Sequence, residues 1–218
     1  VVYGADNVSV IDTSKWKAYK TYQNKLSNYL NKKLTTPRGD EFSMPFEGDK
    51  HSGTIMLLPF RKDTWRKNAE PALRNFRKVV YAIAKHEPVY LGIAPKLWNR
   101  VIEDYRYFKN IYPFKISYND SWARDNCPIF VTNGDRMRIV DFRFNAWGGE
   151  YDGLYSNYKN DDQLTKNLAK KFGQEVYRLD DFILEGGSIH VDGEGTCMVT
   201  KACLLSPGRN PQLSQLER

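Results

Sequence analysis

Ile129-Phe130-Val131-Thr132-Asn133-Gly134-Asp135-Arg136-Met137-Arg138-Ile139-Val140-Asp141-Phe142 decides the fold class. Two short apolar runs, Ile129 to Val131 and Arg138 to Phe142, flank Asn133-Gly134-Asp135. An Asn-Gly step between apolar segments is a strong hairpin signal, because the turn needs positive φ that glycine and asparagine tolerate. A helix follows, expected over Asp161 to Phe172. Leu164, Leu168 and Phe172 fall on one face, Asp161 is placed to cap the start and Gly173 to end it. A hairpin leading into a helix makes this an α/β chain.

The same alternation extends to both sides. Upstream, Thr54 to Phe60 has strand length and apolar content. Ala69 to His86 reads as a helix, with Leu73, Phe76, Val80 and Ile83 three and four apart. Pro88 breaks it, Val89 to Ile93 is a second strand, and Pro95 to Phe108 a second helix opening on proline. Downstream, Ser188 to Val191 and Thr196 to Thr200 flank a tight turn at Asp192-Gly193-Glu194-Gly195. No G-x-G-x-x-G follows a strand and there is no P-loop, so a doubly wound nucleotide fold is not expected.

The chain has 218 residues, 41% hydrophobic and 14% aromatic, enough for a packed core and against wholesale disorder. No apolar run is long enough to span a bilayer, and the N-terminus lacks the basic and apolar regions of a signal peptide. It opens on Val1 rather than Met, so that end is read as a fragment boundary. Of the net charge of +7, residues 1–40 supply +4. Residues 1–33 are therefore read as a basic extension of unassigned role, and 34–218 as the folded part. Charge gathered in an arm, rather than striped over the folded part, argues against nucleic-acid binding. Three cysteines, Cys127, Cys197 and Cys203, suit a reducing, cytoplasmic setting and small buried thiols. Their spacing does not suit a metal site, and no metal or cofactor is expected.

Three segments carry chemistry-bearing residues: Asn119-Asp120-Ser121-Trp122-Ala123-Arg124-Asp125, Phe144 to Gly153, and Leu184 to Thr196. Each gathers carboxylates, indoles and glycines. Carboxylates take a planar guanidinium bidentately, indole faces attract cations, and glycine lets backbone approach closely. Taken singly, each segment could equally be a buried indole beside a turn-capping aspartate, or a glycine bulge. Together, in one chain, they point to a site for a small cation.

With these segments the chain resembles the agmatine deiminases of the pentein, or guanidino-group-modifying, superfamily. The resemblance runs from about Thr36 to the end. It is carried by Met44-Pro45, Trp65, Trp122 to Asp125, Phe144 to Gly149, Tyr151 to Tyr155, Leu184 to Thr196 and Asn210-Pro211. Ala123 stands where the familiar motif has Val or Ile, a small departure. The resemblance implies a pentein-type α/β propeller of ββαβ modules, of which this chain supplies the first two or three. It implies hydrolysis of agmatine to N-carbamoylputrescine and ammonia through a covalent amidino-cysteine. It also implies a small-molecule substrate, a homo-oligomer when complete, and no nucleic-acid or membrane partner. By resemblance Asp125 and Glu185 are catalytic residues that bind the guanidinium, Glu185 also helping to shuttle protons, and Trp122 and Trp147 line the pocket. His190 and Asp192 resemble a His-x-Asp pair, but the family's working pair and its nucleophilic cysteine belong to motifs that this sequence does not contain. They are therefore expected near the site, outside direct contact. A peptidyl-arginine deiminase-type hydrolase and an inactive cation- or partner-binding remnant are the alternative readings.

Overall fold

The computed structural model describes Val2–Tyr3 and residues 36–214. The expected 1–33 extension lies outside the described residues apart from that dipeptide. The strands are β1 (Val2–Tyr3), β2 (His51–Leu57), β3 (Val89–Ile93), β4 (Ile111–Lys115), β5 (Ile129–Asn133), β6 (Arg136–Arg143), β7 (Glu175–Ile183), β8 (Ile189–Val191) and β9 (Cys197–Val199). The helices are α1 (Glu70–Ile83), α2 (Pro95–Val101), α3 (Ala123–Asn126), α4 (Gly149–Asp152), α5 (Lys159–Asp162), α6 (Leu164–Phe172) and α7 (Lys201–Leu204). The described residues form a mixed α/β fold with three small sheets, ordered β1-β2-β3-β4, β5-β6-β7 and β8-β9.

The deciding stretch folds as its turn chemistry dictates. β5 and β6 pair antiparallel, with Asn133 opposite Arg136 and Gly134 at φ 56° in the turn. α6 then carries the chain over so that β7 joins β6 in parallel. This strand-strand-helix-strand unit repeats in the first sheet. There β1 is antiparallel to β2, and α1 delivers β3 parallel to β2. β4 extends that sheet in parallel beyond β3.

Several sequence expectations shift. The first strand runs His51–Leu57 instead of reaching Phe60. α1 starts at Glu70 because Ala69 is left-handed, at φ 63°. The helix expected over Pro95 to Phe108 ends at Val101 and tightens into a 3-10 turn at Ile102–Asp104. Two adjacent β-branched residues, Val101-Ile102, mark the change, and Val101 has left helical geometry at φ −123°. The helix expected over Asp161 to Phe172 is two pieces, α5 and α6. Asp161 caps neither. Its carboxylate turns inward and accepts the amides of Asn119 and Asp120 and the Tyr155 hydroxyl.

The main core lies between the first sheet and its helices. Leu57, Val89, Leu91 and Ile93 pack with Leu73, Val80 and Leu97. Leu164 and Leu168 of α6 join this cluster, while Ala169 of the same helix packs with Ile55, Phe130 and Ile139. α6 thus binds the two larger sheets to each other. That junction fixes the loops after β4, β6 and β7 in relation to one another, and those loops carry the three segments singled out from the sequence.

Candidate functional site

Asp125 lies on α3, a single turn whose first residue follows Trp122. Glu185 lies just after β7 and opens the 3-10 turn Gly186–Ser188. These two short elements touch because of the paired glycines. A Cβ on Gly186 would collide with the Arg124 carbonyl oxygen, and one on Gly187 with Asp125 Oδ1. Only hydrogen at those positions lets the Gly187 amide donate to Asp125 Oδ1 at 3.1 Å. The Glu-Gly-Gly motif therefore seats one carboxylate beside another.

Glu185 is 2% exposed. Burial pushes its pKa up, and the Arg209 guanidinium, whose Nε donates to Glu185 Oε1 at 2.9 Å, works against that. The Asp125 charge adds to the upward push. Burial also raises the Asp125 pKa, opposed by the Gly187 amide, the Arg124 charge and a hydrogen bond from Trp147. Two partly desolvated carboxylates that repel each other gain from a ligand cation more than solvated ones do.

The indoles form the adjoining wall. Trp122 stacks on Trp65, with ring centroids 5.6 Å apart, and meets Trp147 edge to face at 5.4 Å. Trp147 in turn sits edge-on to Phe144 and Tyr155. Ala146 and Trp147 adopt positive φ, 55° and 69°, which turns the 145–153 loop inward. Beneath the stack lies Asp120, at 0% exposure. Trp65 Nε1 donates to its Oδ1 at 2.6 Å and Trp122 Nε1 to its Oδ2 at 3.0 Å. One buried carboxylate thus fixes two indoles. Asp161, pushed up to about 6 mainly by burial, holds the amides of Asn119 and Asp120 from below.

The structure brings Trp122, Asp125, Trp147 and Glu185 together. His190 lies one ion pair away from this group, through Glu47, which also pairs with Arg124, and Asp192 is taken up by its own turn. His190, on β8, is half exposed, and its Nδ1 lies 3.7 Å from Glu47 Oε2. In the β8–β9 turn the Thr196 side chain and the amides of Glu194 and Thr196 donate to the Asp192 carboxylate and pull its pKa down to about 2. The cysteines are not the buried thiols expected: Cys197 is exposed, Cys203 and Cys127 are half-buried, and desolvation pushes the Cys127 thiol up to about 12, the opposite of an activated nucleophile. Among the described residues no group of three or more His, Cys, Asp or Glu could hold a metal ion. Among them, too, no helix is long and apolar enough to cross a membrane. A cavity of about 210 Å³ adjoins the carboxylates through Arg124 and Gly186 and is otherwise mostly apolar, with Met44, Ile55, Pro128 and Phe130 in its wall.

Two residues of this site were missed in the sequence. Asp120 stands in the same motif as Asp125, and composition cannot tell which carboxylate is structural. Arg209 was visible only as a neighbour of Asn210-Pro211, since nothing local announces a buried arginine.

An α/β chain whose loops converge on two carboxylates and a wall of indoles can take a planar cation, as guanidino-group-modifying proteins do. The chain belongs to the Porphyromonas-type peptidyl-arginine deiminase family, whose sequence profile matches residues 43–217. It is 44% identical over 193 residues to the agmatine deiminase of Pseudomonas aeruginosa (strain UCBPP-PA14), covering 86% of this chain and 51% of that protein. It is 45% identical over 188 residues to that of Ectopseudomonas mendocina (strain ymp), covering 84% and 50%. Its fold matches the agmatine deiminase of Enterococcus faecalis with a TM-score of 0.81 at 39% identity, covering 84% of this chain and 50% of that one. It also matches a cysteine-to-serine variant of the C. jejuni agmatine deiminase with substrate bound, with a TM-score of 0.68 at 30% identity, covering 80% and 50%. The chain spans about half the length of the curated relatives it matches.

Proposed function

We propose that these residues supply the guanidinium-binding half of an agmatine deiminase, with Asp125 and Glu185 as the two carboxylates that hold the substrate. The observation that carries this reading is Glu185, buried and seated against Asp125 by two glycines that admit no side chain. Preorganised carboxylates of this kind stabilise a guanidinium as its carbon becomes tetrahedral. Trp122 and Trp147 flank the cation and keep water from it. Two strand-strand-helix-strand units support a propeller arrangement, with the carboxylate loops at its axis.

In the proposed reaction a cysteine thiolate forms a bond to the guanidinium carbon. The carbon–nitrogen bond breaks, and ammonia leaves with a proton from a histidine acid. Water then attacks the amidino-cysteine, releasing N-carbamoylputrescine and the thiol. The nucleophile and the acid belong to a segment outside these 218 residues. That placement is supported by the unreactive setting of Cys127 and by the half-length match to relatives. A C. jejuni relative that holds its substrate when a cysteine is replaced by serine supports a cysteine in the chemistry.

The family's description favours a second reading, a hydrolase acting on peptidyl-arginine. One experiment tests both. The complete natural protein that carries this sequence is incubated with agmatine and, separately, with an arginine-containing peptide, and ureido products are measured. N-carbamoylputrescine from agmatine is the expected result, and a citrulline-containing peptide alone would replace it with the second reading. The 218-residue chain by itself should release no product above that of its Cys127→Ala variant. Product above that background would show that the nucleophile has been misplaced.

A further inference from the structure

Arg209 is buried almost as deeply as the carboxylate it meets: its side chain is 9% exposed and that of Glu185 2%. The guanidinium approaches side-on, through Nε, and its Nη1 lies 3.4 Å from Ser206 Oγ and 3.7 Å from Asp152 Oδ1. The segment that carries it is tied down at both ends. Asn210 exchanges two hydrogen bonds with Ile183, accepting its amide at 2.8 Å and donating to its carbonyl at 2.9 Å, two residues before Glu185. Asn145 Nδ2 donates to the Gly208 carbonyl at 2.7 Å. Gly208 packs so closely that a Cβ would lie 2.8 Å from Gly148 Cα. One short segment is thus strapped both to the strand end that presents Glu185 and to the loop that presents Trp147.

We propose that Arg209 is the positioning residue of the guanidinium site, fixing the Glu185 side chain through Oε1 so that Oε2 is left to the substrate. This rests on the reading of Asp125 and Glu185 as the substrate carboxylates. A carboxylate this deep is strongly disfavoured as an unpaired anion and takes up a proton instead. Protonated, it could no longer accept a charge-assisted bond from a guanidinium. The charged groups that face Glu185 are Arg209, from the 206–210 segment, and Asp125, from α3. Arg209 favours the ionised form and Asp125 opposes it, so removing the cation must raise the pKa of Glu185. Substrate binding then fails at a higher pH than before. The planar guanidinium matters as well as the charge: Nε meets Glu185 while Nη1 reaches toward Ser206 and Asp152, a spread that a lysine ammonium does not reproduce.

The test uses Arg209→Gln and Arg209→Lys in the complete natural protein that carries this sequence. kcat and KM for agmatine are followed from acid to alkaline pH, with melting curves alongside. For Arg209→Gln, kcat/KM should fall about tenfold or more near neutrality, the equivalent of one charge-assisted bond. Its acidic limb should move up by about one pH unit. Arg209→Lys should return the limb toward wild type and recover only part of kcat/KM. An unmoved limb in Arg209→Gln overturns the proposal. So does a lower KM in that variant, which would make Arg209 a plug competing with substrate. If Arg209→Gln does not fold, Arg209→Lys decides: wild-type kcat/KM there refutes positioning, and a severalfold loss supports it. If the wild-type protein turns over no agmatine, the functional reading falls, and Arg209 is judged separately. A carboxyl-carbon NMR titration of Glu185 must then show a higher pKa in Arg209→Gln than in wild type, and equal values refute the proposal.

Discussion

Replacing Asp120 by Asn tests whether one carboxylate sets the indole wall. Asp120 is fully buried, and each of its oxygens accepts an indole N–H, at 2.6 Å from Trp65 and 3.0 Å from Trp122. Oδ1 also accepts the Ser121 amide at 2.8 Å. Asparagine keeps the volume and one acceptor, which Trp65 and Ser121 can share. Its NH2 must then face the Trp122 N–H, donor against donor. The partly buried Trp122 N–H loses its charged acceptor, a change worth roughly 1.5–3 kcal/mol. No longer burying an anion returns part of this, so the net cost is about 1–2 kcal/mol. The assay is a urea-denaturation double-mutant cycle with Trp122→Phe, which removes the second donor. In the Trp122→Phe background the NH2 meets no N–H, so Asp120→Asn should cost at least about 1 kcal/mol less than in wild type. Equal costs on both backgrounds would show that Trp122 is held by packing alone and would refute the clamp.

Two further outcomes follow from burial and close approach. Asp141, on β6, has a pKa raised to about 6 from 3.8, chiefly by burial, against the pull of Arg178 and Lys166 and with a push from Asp162 and Asp180. Below the lower value it is protonated in both states. As pH rises through the folded value, the native state must carry a buried anion, so stability falls across that window. Asp141→Asn should therefore be more stable than wild type above the window and equal to it below. Urea midpoints across the range would show otherwise if the gap did not change with pH. Gly187→Ala places a Cβ against Asp125 Oδ1 and must displace the 3-10 turn from α3. Overpacking of this kind costs about 1–3 kcal/mol. Agmatine kcat/KM should fall further than the loss of folded protein explains, and unchanged kinetics would separate the glycine pair from the site.

The sequence showed those parts whose causes are local. The Asn133-Gly134-Asp135 turn gave β5 and β6, Gly173 ended α6 at φ 68°, and β3 runs from Val89 to Ile93 as its apolar run implies. β4 stayed hidden because Pro113 sits inside it. A proline that cannot donate is tolerated here because β4 is the outer strand of its sheet. β7 stayed hidden because its exposed charges, Arg178, Asp180 and Asp181, break the alternation, and parallel pairing to β6 holds it instead. Asp161 looked like a cap because capping logic sees only the next turn. Its partners, Asn119 and Asp120, are 42 and 41 residues away. The same distance problem hid Arg209, 24 residues from Glu185. Motif resemblance singled out Asp125 and Glu185, and the physical reason they meet, two glycines closed on α3, required coordinates.

Whether Asp125 and Glu185 hold the substrate is decided by steady-state kinetics on agmatine for Asp125→Asn, Glu185→Gln and His190→Asn in the complete natural protein that carries this sequence. Each of the first two keeps volume and removes one anionic acceptor from a preorganised pair. Such losses cost on the order of a hundredfold in rate. A loss of that size or greater is expected for both, with unchanged melting, and a small effect for the half-exposed His190. Abolished turnover in His190→Asn alongside near-normal turnover in Glu185→Gln would contradict this assignment.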